Sequence, residues 1–155
     1  MRTELRVAAY AVCVRDGEIL LARWVDGGGV RRWTLPGGGM DHGELPVETV
    51  VREVEEETGY DAEVVALLGI DSIRRERPGR LGGSLDWQGL RIIYEAGITG
   101  GSLRNEQGGS TDLAAWHPLD SVPSLHRVEL VDIGLQLWRD RPPTGHSHLS
   151  DPANG

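Results

Sequence analysis

Residues 35–60 constrain the fold of this chain more than any other part of its sequence. A glycine-rich turn comes first, and a segment that predicts a helix over Pro46–Thr58 follows it. Pro46 suits the first turn of a helix, where its missing N–H is not needed, and Glu48 favours the positive N-terminal end. Gly59 can adopt the left-handed conformation that ends a helix. The sequence therefore predicts a well-bounded helix entered through small residues.

The predicted helix has two different faces. At about 100° per residue, one stripe is suited to packing against the rest of the domain; it consists of Val47, Val50, Val51, Val54 and Thr58. Glu53, Glu56 and Glu57 form a second stripe, about 120° away. Like charges at this spacing repel one another, so a cation is expected beside them. Mg²⁺ or Mn²⁺ is the natural candidate because hard divalent cations prefer oxygen ligands.

Two further features of this segment fit an ion or phosphate site. Arg52 lies next to Glu53 and one turn before Glu56, so it could hold a carboxylate in a fixed rotamer. The glycines of the turn, Gly37 and Gly38 among them, would let backbone groups approach a ligand closely. We therefore include Gly38 as a candidate substrate contact.

The spacing of these residues resembles the Nudix box. The nine defined positions of that motif are all matched: the first by Gly38, the second by Glu44 after five intervening residues, and the others within 52–60 after seven more. The preceding residues 33–37, WTLPG, are also similar to the usual approach to the box. One departure is Asp41, where many members carry Glu; it lies outside the defined positions. An acidic helix end alone would more often be a solvated surface, but these positions together indicate the family.

The resemblance implies a fold and an activity. The expected fold is an α/β/α sandwich with a mixed β-sheet, in a single domain over residues 1–139. The expected activity is metal-dependent hydrolysis of a diphosphate bond in a nucleoside diphosphate linked to another moiety, such as a nucleoside triphosphate or an ADP-ribose-like compound. The implied partner is thus a nucleotide or nucleotide-sugar, and relatives are often homodimers.

The resemblance also assigns roles to residues. Metal ligands would be Glu53, Glu56 and Glu57, with the Gly37 carbonyl as a further ligand. The general base is left open between Glu53, the first choice, and Glu56, and Arg52 would orient Glu53.

Related sequences often take an additional acid from outside the box. The candidates here are Glu95, Glu106 and Asp112, and the sequence does not choose among them. In similar sequences an arginine at the position of Arg23 often reaches a substrate phosphate, although a surface role for it is equally compatible with the sequence.

Two other functions stay open at this level. The first is a non-catalytic module that senses a nucleotide or metabolite, although no acid of the box has been lost here. The second is an isoprenoid-diphosphate isomerase, a class with a similar fold. Such an enzyme would normally need a catalytic cysteine and metal-binding histidines, and Cys13 alone offers little support. We expect Cys13 to fill the core.

Composition limits the partners and the compartment. A net charge of −8 and a pI near 5.1 argue against nucleic acid or an anionic membrane as partner, because either would usually need a basic surface. The apolar run 7–14 is too short to span a membrane. With one cysteine, the chain cannot form an internal disulfide, so a cytoplasmic location is expected.

The remaining sequence predicts the other elements. A hairpin is expected around Asp16 and Gly17, between the strands 7–14 and 18–23. Further strands are predicted at 61–73, 85–99 and 114–118, with a basic loop at 74–83 and a second amphipathic helix at 127–139. Residues 140–155, rich in Pro, Gly and Ser, are expected to form a disordered or loosely attached tail.

Overall fold

Two β-sheets lie between two helices in the computed structural model, which describes residues 2–150. The strands are β1 (Arg2–Val12), β2 (Val14–Arg15), β3 (Glu18–Val25), β4 (Arg31–Thr34), β5 (Gly37–Gly39), β6 (Tyr60–Pro78), β7 (Ser84–Gly101) and β8 (Thr111–Pro118). The helices are α1 (Pro46–Thr58) and α2 (Glu129–Asp140), and a 3₁₀ helix spans Leu119–Ser124. No helix among residues 2–150 combines the length and the apolar character needed to cross a membrane.

The two sheets have different patterns of pairing. The first has the order β5-β1-β7-β6, in which β1 runs parallel to β7 and the other pairs are antiparallel. In the second, β3 pairs with β8, β4 and β2, always antiparallel. The predicted mixed sheet is therefore confirmed, and the parallel β1–β7 pair makes it mixed.

Alternation along the strands separates two hydrophobic cores. Ala9, Ala11 and Cys13 face one cluster, which also contains Val50 and Val54 of α1. Val12 of β1 and Ile19 and Leu21 of β3 face the other cluster with α2, whereas Leu20, between the last two, faces the first. A period of two places successive side chains on opposite faces, so one helix covers each face. This arrangement confirms the α/β/α sandwich and the core position of Cys13.

The predicted hairpin is present, but its first strand is short. Asp16 and Gly17 have φ of 53° and 78°, as a tight turn between antiparallel strands requires. The turn joins β3 to β2, whereas β1 belongs to the other sheet. The chain therefore changes sheets at Cys13, whose carbonyl accepts a hydrogen bond from Leu20 N at 3.0 Å.

Helix α1 has the predicted bounds but not the predicted packing face. Val50 and Val54 are buried as expected, whereas Val47 and Val51 are 36% and 41% exposed and border an open groove against β6. Thr49 and Glu57 are buried instead; the remaining predicted member of the stripe, Thr58, is also buried. The helix is thus rotated toward β5, which brings an acid into the interior.

The predicted basic loop 74–83 is mostly strand. Residues 74–78 continue β6, because their side chains find partners across the hairpin in β7. Arg74 forms a two-pronged ion pair with Asp86, and the Arg77 guanidinium lies 4.1 Å from the centroid of the Trp87 ring. The turn itself is confined to 79–83.

The expectation of a disordered tail is wrong for residues 141–150. Gly145 O accepts a hydrogen bond from Ile70 N on β6 at 2.9 Å, and Ser147 is buried. Ser150 Oγ donates a hydrogen bond to Asp71. These backbone and hydroxyl contacts need no apolar side chains, which explains why composition alone suggested disorder. Residues 151–155 lie outside the described part of the chain.

Candidate active site

The glycines before α1 form a strand rather than a turn. Residues 37–39 are β5, paired antiparallel with residues 8–10 of β1. A side chain on Gly37, whose φ is 150°, would collide with the Ala9 carbonyl, and a Cβ on Gly38 would lie 3.0 Å from the Glu53 carboxylate. Missing side chains therefore let the acids of α1 approach the backbone at the edge of the sheet.

Arg52 organises one end of the acidic stripe. Its Nε and Nη2 donate hydrogen bonds to the two carboxylate oxygens of Glu44 at 2.8 and 3.0 Å. Nη1 donates to Glu53 Oε1 at 2.9 Å and lies 3.5 Å from Glu56 Oε1. Nη2 also reaches the Gly39 carbonyl at 3.2 Å. The guanidinium thus fixes the rotamers of two acids and ties α1 to β5.

Glu44 is held from three directions. Besides Arg52, it accepts hydrogen bonds from the Thr49 hydroxyl at 2.9 Å and from the Asp41 backbone N–H at 2.8 Å. The hydrogen bonds with Arg52 are the main cause that lowers the pKa of Glu44 to about 2. The contact of Thr49 was not predicted from the sequence, although its position five residues after Glu44 could have indicated it. Glu44 therefore stays ionised as the counter-ion of Arg52.

Glu57 has a very different environment. Its side chain is buried, with the residue 4% exposed, and Oε2 accepts a hydrogen bond from the Gly37 N–H at 3.3 Å. None of the ion pairs within residues 2–150 includes Glu57. Burial first, and then the charge of neighbouring Glu53, raises the pKa of Glu57 well above its ordinary value. Glu53 and Glu57 are thus close enough for each to influence the pKa of the other.

This donor set fits a hard divalent cation. A buried carboxylate beside a second one is costly unless a positive charge compensates it, and both offer oxygen atoms. Glu56 lies one turn away and is partly exposed. Within residues 2–150, no three His, Cys, Asp or Glu side chains already form a metal cage. A cation would therefore draw the acids and its other ligands together on binding.

The three candidate acids outside the box differ in their partners. Glu95 Oε2 accepts hydrogen bonds from Trp138 Nε1 at 3.0 Å and from Arg141 at 2.7 Å, so it anchors α2. Asp112 accepts hydrogen bonds from Arg23 Nε and Nη2, each at 3.0 Å, and from Arg31 Nε at 2.9 Å. Both acids are thus already neutralised by arginines.

Glu106 is the candidate whose charge reaches the site. Its Oε1 accepts hydrogen bonds from the Thr111 N–H at 3.1 Å and hydroxyl at 2.8 Å. Burial and Glu53 are the larger causes of the raised pKa of Glu57, and the charge of Glu106 adds to them. Among the three candidates, only Glu106 contributes to the raised pKa of Glu57, whereas Glu95 and Asp112 are paired with arginines.

The substrate contacts predicted from the sequence have different surroundings. Gly38 lies directly against Glu53, inside the candidate site. Arg23 is bound to Asp112, and its guanidinium lies 5.8 Å from the centroid of the Trp33 ring. Trp33 itself packs against the core.

An α/β/α sandwich in which an arginine on the first helix orders acids beside a glycine strand is the combination of fold and site that defines the Nudix class. The NUDIX domain family matches residues 4–135 of this sequence, and the chain therefore belongs to the Nudix family.

Relatives support this membership. Over 112 residues the chain is 35% identical to a putative ADP-ribose pyrophosphatase, YjhB, of Bacillus subtilis (strain 168), a match that covers 72% of this chain and 49% of that protein. It is 37% identical over 107 residues to 8-oxo-dGDP phosphatase NUDT18 of Mus musculus, covering 63% of this chain and 29% of that one. The chain thus spans half or less of the length of these relatives.

A solved structure agrees with the fold. The NUDIX hydrolase from Nitrosomonas europaea superposes with a TM-score of 0.70, at 21% identity, over 94% of each chain. At that level of identity the likeness concerns the fold alone.

Proposed function

We propose that this Nudix domain hydrolyses the diphosphate bond of a nucleoside diphosphate linked to another moiety, with Mg²⁺ or Mn²⁺ as cofactor. The observation that carries the proposal is the buried Glu57, which faces Glu53 without an arginine partner. The names of the relatives, a putative ADP-ribose pyrophosphatase and an 8-oxo-dGDP phosphatase, support substrates of this kind.

Residues of α1 and β5 would hold the cation. They are Glu53, Glu56 and Glu57, with the backbone of Gly37. A divalent cation there would neutralise phosphate charge and favour ionisation of the attacking water. Arg52 keeps the Glu53 carboxylate in place at 2.9 Å, and the Gly37 N–H restrains Glu57 at 3.3 Å. Glu53 and Glu57 are thus restrained before substrate arrives, whereas the cation would bring in the remaining ligands, and this partial restraint lowers the entropic cost of the reaction.

Glu53 is our first choice as general base, and Glu56 the second. Burial raises the pKa of Glu53, although Arg52 opposes the shift. A carboxylate with a raised pKa accepts a proton from water more readily than an ordinary one. Glu56 is more exposed, with 44% of its side chain accessible against 15% for Glu53.

We further propose Glu106 as the additional acid, because its charge acts on Glu57. Gly38, against the Glu53 carboxylate, would contact the substrate through its backbone. Arg23 would reach a phosphate by giving up one of its two hydrogen bonds with Asp112. A nucleotide or nucleotide-sugar as partner in place of nucleic acid or membrane, a homodimer and a cytoplasmic location stay predictions.

The test is turnover of a nucleotide panel by the full chain. ADP-ribose, 8-oxo-dGDP, nucleoside triphosphates and nucleotide-sugars are incubated with and without Mg²⁺ or Mn²⁺, and release of nucleoside monophosphate or phosphate is measured. Cation-dependent release from at least one compound is expected. No release from any of them would reject the proposal.

Glu57→Gln tests the assignment within the site. It should abolish cation-dependent turnover while the fold stays intact. Glu55→Gln is the matched control, because Glu55 lies on the same helix, 52% of its side chain is exposed and it pairs with Arg104. An unchanged rate for Glu57→Gln at saturating Mg²⁺ would contradict the role of Glu57.

The nucleotide panel also distinguishes the hydrolase from the two alternative functions, a sensing module and an isoprenoid-diphosphate isomerase. A sensing module would bind a nucleotide with no product formed under any condition. An isoprenoid-diphosphate isomerase would need a reactive thiol, but Cys13 is buried and burial raises its pKa to about 11. That environment favours the hydrolase.

A further inference from the structure

A tryptophan of β7 lies over a glycine on an exposed part of the first sheet. A Cβ on Gly89 would lie 2.6 Å from Cη2 and 3.0 Å from Cζ3 of Trp87, and 3.2 Å from Ile73 Cγ2. The indole ring thus occupies the space that a side chain at Gly89 would need. Arg77 stacks on the ring at 4.1 Å from its centroid, and Trp87 stays partly exposed.

The two hydrophobic cores do not account for this ring, which packs locally against Gly89 and Arg77. Trp33, Trp116 and Trp138 pack against the two hydrophobic cores, whereas Trp87, like Trp24, belongs to neither cluster among residues 2–150. An aromatic ring that is held in place but left partly accessible is suited to stacking against a flat ligand.

Arg6 lies between this ring and the acids. In the parallel β1–β7 pair, Arg6 is the register partner of Gly89, so both lie on one face of the sheet. The Arg6 guanidinium occupies the position that a side chain on Gly39 would take. Gly39 is two residues from Gly37, whose N–H binds Glu57. The surface therefore presents, in order, an aromatic ring, a cation and the acids.

The separation along the sheet can be read from the strand register. Gly37 pairs with Tyr10, and Tyr10 pairs with Ile93 of β7. Gly89 precedes Ile93 by four residues, which corresponds to about 13 Å along the strand at roughly 3.3 Å per residue; the step from β7 across β1 to β5 adds about 10 Å in the perpendicular direction. A nucleotide has its groups in the same order along an extended length: base, sugar, then phosphates.

We propose that Trp87 stacks on the nucleobase of the substrate and that Arg6 contacts the phosphates between the base and the acids of α1. This inference rests on the proposed function, since it assigns the part of the substrate that is not hydrolysed. It predicts that a nucleobase is recognised by its flat face, so that different bases are accepted.

Binding of two probes tests the role of Trp87. ADP carries a base, whereas 5-phosphoribosyl diphosphate carries a ribose and a diphosphate but no base. Trp87→Leu should weaken ADP binding about 5- to 150-fold, the range of base stacking on aromatic side chains, and leave the base-free probe nearly unchanged. Trp87→Phe should restore most of the ADP affinity. Equal weakening for both probes, or none for either, would overturn the proposal.

Gly89→Ala provides a second test that keeps the indole. The new methyl group would displace the ring, so ADP affinity should fall while the base-free probe binds as before. Gly97→Ala is the matched control on the same strand, because a Cβ there meets Val65 Cγ2 at 3.9 Å, an ordinary contact. Thermal unfolding of both variants checks the fold. Unchanged ADP affinity in Gly89→Ala would also overturn the proposal.

These binding measurements fail independently of the hydrolysis assay. ADP binding that depends on Trp87, in a protein that hydrolyses nothing, would reject the enzyme but keep the base site. Nucleotide hydrolysis whose KM is the same in the wild type and Trp87→Leu would reject the base site alone.

Discussion

Like charges repel one another at both ends of the acidic stripe on α1, and the two ends differ in how that repulsion is compensated. At one end, Arg52 binds Glu44 and Glu53 with hydrogen bonds of 2.8 to 3.0 Å, and the charges are matched by the protein itself. At the other end, Glu57 is buried against Glu53 with a backbone N–H as its donor. The protein itself therefore compensates the charges at the first end, whereas we propose that a cation compensates those at the second.

After Glu57→Gln, the largest effect should come from removing Arg52, which binds the acids at the first end. Arg52→Met frees Glu53 to move, and a displacement of about 1 Å in a reacting group can cost about 100-fold in rate. It should also lower the free energy of unfolding by roughly 2 kcal/mol through the lost charged hydrogen bonds. Steady-state kinetics and denaturant unfolding measure both.

The control for Arg52 is Arg104, an arginine outside α1 that pairs with Glu55 of that helix. Arg104 binds Glu55 at 3.1 Å in an exposed pair, so Arg104→Met should change the rate little. If the two variants lost activity equally, the distinction between an organising and a peripheral arginine would fail.

A smaller effect is expected from adding the proposed cation. Mg²⁺ or Mn²⁺ at 100 times its dissociation constant should stabilise the wild type by about 2.7 kcal/mol. Each kcal/mol corresponds to about 2–4 °C in Tm for a domain of this size. Calorimetry with and without EDTA measures the shift. Glu57→Gln should lose most of it, and an equal shift in that variant would place the cation elsewhere.

Without the cation, Glu57 should itself be a source of instability. Its pKa is raised in the folded state, so between its ordinary value of 4.5 and the raised value the unfolded chain loses the proton first. The free energy of unfolding then falls as pH rises through that window, by roughly 1 kcal/mol per pH unit. In EDTA at neutral pH, Glu57→Gln should therefore be more stable than the wild type. The two should converge toward pH 4; a less stable variant at neutral pH would contradict the burial of the charge.

The smallest effect concerns Glu44, at the end of the stripe that Arg52 binds. Here the dependence of stability on pH has the opposite sign. The pKa of Glu44 is lowered from 4.5 to about 2, chiefly by Arg52, so its stabilising contribution is present above pH 4.5 and is lost as pH falls toward 2. Glu44→Gln should therefore unfold with a weaker dependence on pH in that range. Acid titrations followed by circular dichroism compare the slopes, and identical slopes would mean that Glu44 is not held as described.

The helix bounds could be predicted from the sequence because they depend on local residues. Pro46, Gly59 and the positions of the box fix where α1 begins and ends, whatever the rest of the chain does. The packing face was harder to predict. Val47 and Val51 are as apolar as Val50, but the helix turns Glu57 inward, and this rotation depends on contacts with β5.

Long-range pairing explains the other differences. The glycines 37–39 suggested a turn by composition, but Ala8–Tyr10 of β1 supply strand partners that no local pattern reveals. The same holds for 74–78, whose arginines match residues of β7, and for the tail, which hydrogen-bonds to Ile70 of β6.

The burial of Cys13, where the chain crosses between the sheets, has a practical consequence for labelling. The chain's one thiol is buried, and burial raises its pKa to about 11, so maleimides and oxidants should react with it slowly. A cysteine introduced at an exposed position, such as Leu81 in the turn between β6 and β7, should therefore take a fluorophore selectively in the native protein. A dye at that turn, beyond the Trp87 end of the hairpin, could report ligand arrival while the native sulfur is left in place.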